Sequence, residues 1–179
     1  MALDEKDREI LRLLQENARL PNAEIARRID MAPSAIHQRI RKLEEAGVIL
    51  GYEARLDPRE LGYGLVAFVR VQTGEGARAP EIIAALKSFP MVQEVHRVVG
   101  EDCFFVKVRV EDTHVLAELL DRHLQVIPGV ASTKTTIVLT TAKETRNLPL
   151  DEPSLELVPD DEDADHDEGV EGIRSREAG

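Results

Sequence analysis

The feature that most constrains this chain is a change of hydrophobic period at Gly47. Before it, apolar residues recur at helical spacing: Ile10, Leu11 and Leu14, then Ile25, Ala26 and Ile29, then Ile36, Ile40 and Leu43. After it they alternate as in strands, with Leu65, Ala67, Val69 and Val71 on one side and Val66, Phe68, Arg70 and Gln72 on the other. A single period cannot serve both halves, so the chain has to build a helical unit and a sheet-bearing unit. Its 179 residues suffice for two small cores.

In the first half, Asp4 suits a helix N-cap, with Asp7 three residues on as the acid of a capping box, and the helix should run from Glu5 to Asn17. Asn22 is a candidate cap for a second helix. Asp30-Met31-Ala32 is a tight connection, Pro33 takes a first helical position, and Gly47 ends the third helix. Two helices joined by three residues form the helix-turn-helix pattern. Opposite the stripe Ile36, Ile40, Leu43 lie Ser34, Gln38, Arg41 and Glu45, flanked by Ala35, His37 and Lys42. Gln pairs bidentately with adenine and the first turn of such a helix enters a groove deepest, so Ser34, Ala35, His37 and Gln38 are candidates for base edges. Arg28, Arg39, Arg41 and Lys42 are candidates for phosphates. A merely solvated face of a three-helix unit would carry similar residues.

Charge placement supports the nucleic-acid reading where charge sum opposes it. The chain carries −11, but residues 151–179 hold twelve acids against Arg174 and Arg176, a net −10. The preceding 150 residues are therefore close to neutral. Between Arg27 and Lys42 five bases face Asp30 alone, a local +4.

In the second half, Leu65 to Gln72 reads as a strand, and Ile82, Ile83, Leu86 and Phe89 as a helix. Val92–Val99 and Cys103–Val110 read as strands around Gly100-Glu101-Asp102. Leu116, Leu119, Leu120, His123 and Ile127 mark a second helix, with His123 inside its apolar stripe, and Val130–Thr140 a last strand. The order βαββαβ predicts a ferredoxin-like sheet with both helices on one face. The expected fold class is α+β: a helix-turn-helix domain over 1–50, a hinge or linker strand over 51–63, a ferredoxin-like domain over 64–150, and a tail over 151–179. That tail is too acidic and too poor in apolar residues to offset its ordering entropy, and is expected to be disordered.

Leu3-Asp4, Asp7, Ile10-Leu11, Leu14, Asn22 to Ile29, Arg39, Leu43-Glu44, Gly47-Val48-Ile49 and Gly51-Tyr52 resemble the Lrp/AsnC transcription regulators. Val95 to Asp102, Lys107-Val108, Pro128-Gly129-Val130, Thr133-Lys134-Thr135 and Lys143 through Leu150 resemble the amino-acid-sensing domain of the same family. The two halves agree in order and spacing from Leu3 to Leu150. The resemblance implies a cytoplasmic, sequence-specific regulator of transcription, with a winged or plain helix-turn-helix, that binds double-stranded DNA as a homodimer or a higher oligomer such as an octamer. It implies a free amino acid as effector, held between subunits near Gly100, Glu101 and Asp102. The chemistry is apt: a carboxylate meets the ammonium, and a glycine lets backbone N–H groups approach the ligand carboxylate. Thr133 and Thr135, on one side of the last strand, are candidates to reach the effector from an adjacent chain. An effector-independent architectural DNA-binding protein is the alternative.

Two departures from the family's pattern stand out. Asp30 and Ala32 occupy positions where relatives often have Gly and a capping Ser, and Asp102-Cys103 stands where an aromatic-Asp pair is frequent. Asp tolerates the left-handed conformation, so the turn should survive.

Other chemistries find little support. Cys103 is the only cysteine, which excludes an internal disulfide and a multi-cysteine zinc cluster, and at the start of a strand it reads as an inert thiol. His37, His96, His114, His123 and His166 form no chelating spacing, so neither a metal nor a cofactor is expected. Phe104 and Phe105 should face opposite sides of their strand and lack the glycine-aromatic signature of an RNA-binding sheet. No nucleophile–base pair indicates an enzyme. No apolar run approaches the roughly 20 residues of a membrane span, and the first residues have no leader-like pattern.

Overall fold

The computed structural model describes residues 2–100 and 103–150. Glu101, Asp102 and the acidic tail lie outside the described residues. Contacts divide the chain into two compact units. One holds the chain up to Lys42 and takes in the segment from Asn147; the other runs from Leu43 to Arg146.

The first unit contains α1 (Glu5–Glu16), α2 (Asn22–Arg28) and most of α3 (Pro33–Glu45). The capping box at α1 is formed: the Asp7 backbone N–H donates to Asp4 Oδ1 at 2.8 Å and the Asp4 N–H to Asp7 Oδ2 at 3.3 Å. Ile10, Ile25 and Ile36 are wholly buried and Ala26 and Ile29 nearly so, so the helical stripe of each helix supplies the core. Lys6 Nζ donates to the Ile29 carbonyl at 2.9 Å, satisfying one orphan acceptor at the end of α2. The N-cap of α2 is Pro21, with no side-chain cap, and not Asn22. The proline's own extended backbone puts its carbonyl in reach of the Glu24 and Ile25 N–H groups, and Asn22 becomes the first helical residue. Asp30 adopts φ 53°, the one non-glycine in the left-handed region among the described residues, and Gly47 closes α3 at φ 68°.

One contact ties α3 to the start of α1. Arg39 Nη1 donates to Asp4 Oδ2 at 2.6 Å and to Asp7 Oδ1 at 2.7 Å, and Asp7 is only 8 % exposed. The Asp4 carboxyl is held below its usual value of 3.8, first by the Asp7 N–H and then by the Arg39 guanidinium.

The second unit contains β1 (Leu65–Thr73), α4 (Ala79–Lys87), β2 (Val92–Arg97), β3 (Phe104–Val110), α5 (Thr113–Leu119), a π-helical turn (Leu120–Leu124) and β4 (Val130–Ile137). The sheet order is β2-β3-β1-β4, every neighbouring pair antiparallel. This is the expected ferredoxin-like arrangement. Ala67, Val69 and Val71 pack with Val106 and Val108, and with Ile82, Leu86, Leu116, Leu119 and Leu124 from the helices, in one core on one face of the sheet. Phe104 is buried there, while Phe105 turns to the other face and stacks on Phe68 at 5.3 Å between centroids. That other face is partly covered by the chain's own continuation beyond β4: Glu144 pairs with Lys107 and, at 3.3 Å, with Arg109.

Two expectations need correction here. His123 is exposed, with its ring 5.4 Å from that of Phe89 between centroids, and Leu124 fills the core position. The π-helical turn is the cause: its wider loop rotates each later side chain back along the helix, so the residue after His123 inherits the inward direction. Residues 51–63, read as a hinge or linker strand, hold no strand: 51–57 carry no regular secondary structure and 58–62 form turns, with Leu50 just before them 94 % exposed and Leu56 within them 70 % exposed. A lone extended segment with no neighbouring strand has nowhere to make ladder bonds. A side chain at Gly129 would be strained by its φ of 92° and crowded, with a Cβ 3.1 Å from Ala77 Cβ. Among the described residues no helix is long and apolar enough to cross a membrane.

The Arg39 linkage makes a pH-dependent prediction. A depressed carboxyl contributes stability that is complete above the unfolded value near 3.8 and is lost as pH falls through the folded value. Arg39→Met should therefore lower the thermal midpoint followed by circular dichroism at neutral pH by several degrees. The gap to the unsubstituted protein should narrow below about pH 4. A gap of constant size down to about pH 2 would reject the linkage.

Candidate nucleic-acid interface and effector cleft

The helix-turn-helix follows from local chemistry. The Ile29 N–H donates to Ile25 at the end of α2, Asp30 reverses the chain, and the Ala32 carbonyl accepts from Ala35 and Ile36 to open α3. Ala32 offers no side-chain oxygen, and Pro33 supplies the preset φ. Burial of Ile36, Ile40 and Leu43 turns the opposite side of α3 outward: Ser34, His37, Gln38, Arg41 and Lys42 are exposed, and Ala35 is half-buried.

The bases assigned to phosphates divide into two groups. Arg28 is held at 2.8 Å by Glu24, which also takes two hydrogen bonds from Arg27 at 2.7 and 2.9 Å. Those bonds, Arg27's first and Arg28's second, pull the Glu24 carboxyl down to about 2. Arg39 is occupied by Asp4 and Asp7, and its side chain is 30 % exposed. Lys42, by contrast, makes no side-chain hydrogen bond or ion pair with any described residue, and the same holds for His37 and Gln38. Sequence reasoning did not find the tie between Tyr52 and Glu44. The phenol donates to Glu44 Oε1 at 2.9 Å, and burial together with this carboxylate pushes it up to about 12. Its eight-residue separation across a glycine turn leaves no periodic signal.

The second candidate site is a cleft of about 160 Å³ at the end of β2 and β3. Thr73, Ala77, Arg97, Val98, Gly100 and Cys103 line it. Gly100 has φ 136°, the Cys103 N–H donates to the Val71 carbonyl at 3.0 Å, and the Cys103 thiol sits 2.9 Å from Thr73 Oγ1. Arg97 is the one cationic residue in that lining, and a guanidinium is a suitable partner for a carboxylate. Of the five candidate effector residues, Gly100 borders the cleft. Thr133 and Thr135 do not: they pair with Val71 and Val69 on the helix-covered side of the sheet, and Gln125 donates to Thr133 Oγ1 at 3.3 Å. Among the described residues no group of three potential ligands can hold a metal ion.

These two sites match known proteins in order. Residues 3–49 match the winged helix-turn-helix DNA-binding model and residues 66–148 the Lrp/AsnC ligand binding domain. The chain is 40 % identical over 148 residues to the HTH-type transcriptional regulator FL11 of Pyrococcus horikoshii, covering 83 % of this chain and 97 % of that one. It is 35 % identical over 150 residues to the leucine-responsive regulatory protein of Salmonella typhimurium, covering 82 % and 90 %. In structure it is similar to a transcriptional regulator of Neisseria meningitidis solved as its L-Met complex, with a TM-score of 0.80 and 32 % identity over 83 % of this chain and 97 % of that one. The fold, the order of the two sites and these similarities together place the chain in the Lrp/AsnC family of helix-turn-helix transcription regulators.

Proposed function

We propose that α3 enters the major groove of double-stranded DNA, that Ser34, Ala35, His37 and Gln38 meet base edges, and that Lys42 and Arg41 meet phosphates. The observation that carries this is the division of charged groups. The exposed face of α3 presents His37, Gln38 and Lys42 without a side-chain hydrogen bond or ion pair among the described residues, while Arg39 is used to hold α3 against α1. Arg28, the last residue of α2, shares Glu24 with Arg27, and two guanidiniums on one carboxylate leave a surplus positive charge for the backbone. Arg39 is thus a positioning residue and not a phosphate contact.

We further propose that the cleft beside Gly100 takes a free amino acid, with Arg97 facing its carboxylate. Glu101 and Asp102 follow directly in the chain and are candidates for its ammonium group. Thr133 and Thr135 would have to serve from a neighbouring subunit or not at all. The protein acts as a dimer or larger assembly, for which the sheet face bearing the Phe68–Phe105 stack is the candidate surface. A single small helix reads too few base pairs for useful specificity, and paired half-sites supply the rest.

Three measurements test this reading. In titrations of operator and random duplexes, Lys42→Ala should weaken binding to all sequences alike and reduce the salt slope by about 1, whereas Gln38→Ala should narrow the preference among operators. Equal loss of preference in both variants overturns the assignment. In a thermal-shift screen of the twenty amino acids, at least one should raise the midpoint in a concentration-dependent manner. A flat response to all twenty favours the effector-independent architectural reading. Sedimentation of the full chain should give a multiple of 19.9 kDa, and a monomer at micromolar concentration rejects the assembly.

A further inference from the structure

We propose that the acidic carboxy-terminal segment 151–179 docks on the exposed face of α3 of its own chain and competes there with non-specific DNA. The inference rests on the reading of α3 as the DNA-facing helix and adds a regulator to it. Three observations carry it.

The first is charge. The segment carries −10, with Asp160, Asp161, Glu162, Asp163, Asp165, Asp167 and Glu168 concentrated in nine positions. The rest of the chain is close to neutral, so such a block finds no general attraction to the protein and must look for a local one. The α2–α3 region is that place: Arg27 and Arg28 share one carboxylate, and Lys42 has none among the described residues. A surface built to accept a row of phosphates accepts a row of carboxylates by the same physics.

The second is attachment. Gln15 of α1 accepts the Leu148 backbone N–H at 2.7 Å and donates to the Leu148 carbonyl at 3.2 Å. This two-way clamp returns the chain end to the unit that carries α2 and α3. The acidic segment therefore departs from the DNA-reading unit itself.

The third is length. The dense acidic stretch begins ten residues beyond Leu150, a span of up to about 33 Å, whereas α3 is roughly 20 Å long. That span exceeds the whole length of α3, which belongs to the same compact unit as the start of the segment. Short reach keeps its effective concentration high. Because the attraction is between exposed charges, it fades as the screening length shrinks to about 8 Å at physiological salt and further above it. Specific duplex, which adds base contacts, displaces the segment more readily than random duplex does.

The test uses the full chain, a version ending at Leu150, and a full-length version in which the seven acids from Asp160 to Glu168 are changed to Asn or Gln. Binding of a random duplex is followed by fluorescence anisotropy at low and high salt. At low salt both altered chains should bind about tenfold more tightly than the full chain, with the three converging at high salt. A DNA-free readout accompanies it: the rate at which an amine-reactive ester modifies Lys42, read by peptide mass spectrometry. Docking slows that rate severalfold in the full chain at low salt and not in either altered chain. Equal Lys42 rates in all three chains overturn docking, even if the affinities differ through long-range repulsion. Protection of Lys42 without DNA binding by any of the three chains retains docking and rejects the DNA-facing reading of α3. Protection with unchanged affinity for random duplex rejects the competition.

Discussion

The first unit is organised around where one guanidinium goes. Arg39 reaches from α3 to Asp4 and Asp7, the two residues that also cap α1 through their own backbone N–H groups. Each partner would be less settled alone. The capping box fixes the two carboxylates in place, and the guanidinium then meets an arranged pair rather than two mobile side chains, which lowers the entropy lost on pairing. Because Asp7 is nearly buried, the linkage also compensates a charge that would otherwise be costly to hide. The rotation of α3 about its own axis follows from it, together with the burial of Ile36 and Leu43, and with that rotation the outward direction of His37, Gln38 and Lys42.

Much of this was legible in the sequence, because its causes are local. The Asp4–Asp7 spacing announces a cap, Pro33 and Gly47 punctuate α3, and Asp30 is one of the few side chains that tolerates a left-handed turn. The alternation of Val69, Val71, Val106 and Val108 marks one sheet face as surely as the helical stripes mark the bundle. The role of Arg39 was not legible. Its angle at the border of the apolar stripe reads as exposure in a helix considered alone. A long side chain at such a border can instead lie along the neighbouring helix, and only the tertiary arrangement says which acids it meets. Asn22 failed as a cap for a smaller reason, since Pro21 already had the extended conformation the position needs.

In the second unit the limits are of another kind. A π-helical turn leaves no signature in hydrophobic spacing, so a strict period of 3.6 carries His123 inward and leaves Leu124 out, the reverse of what the fold does. The candidate effector residues were unevenly legible in geometry alone: Gly100 announces a backbone conformation that L side chains rarely adopt, and it borders a cleft. Thr133 and Thr135 share a strand face, as period two requires, but spacing cannot say that this face is the one the helices cover. Arg97 went unremarked because a single arginine at a strand end has no pattern around it.

The clamp between Gln15 and Leu148 joins residues 133 apart in sequence. Were the intervening chain unstructured, closing so long a loop would cost about 4 kcal/mol of chain entropy, from a term that grows as the logarithm of length. Two solvent-exposed hydrogen bonds return about 1 kcal/mol each at best, so they could not close the loop unaided. The clamp is accordingly subordinate to the sheet: only when the β-strands have gathered the intervening residues are its ends near enough to join. Its two hydrogen bonds report the order of the chain between them rather than create it.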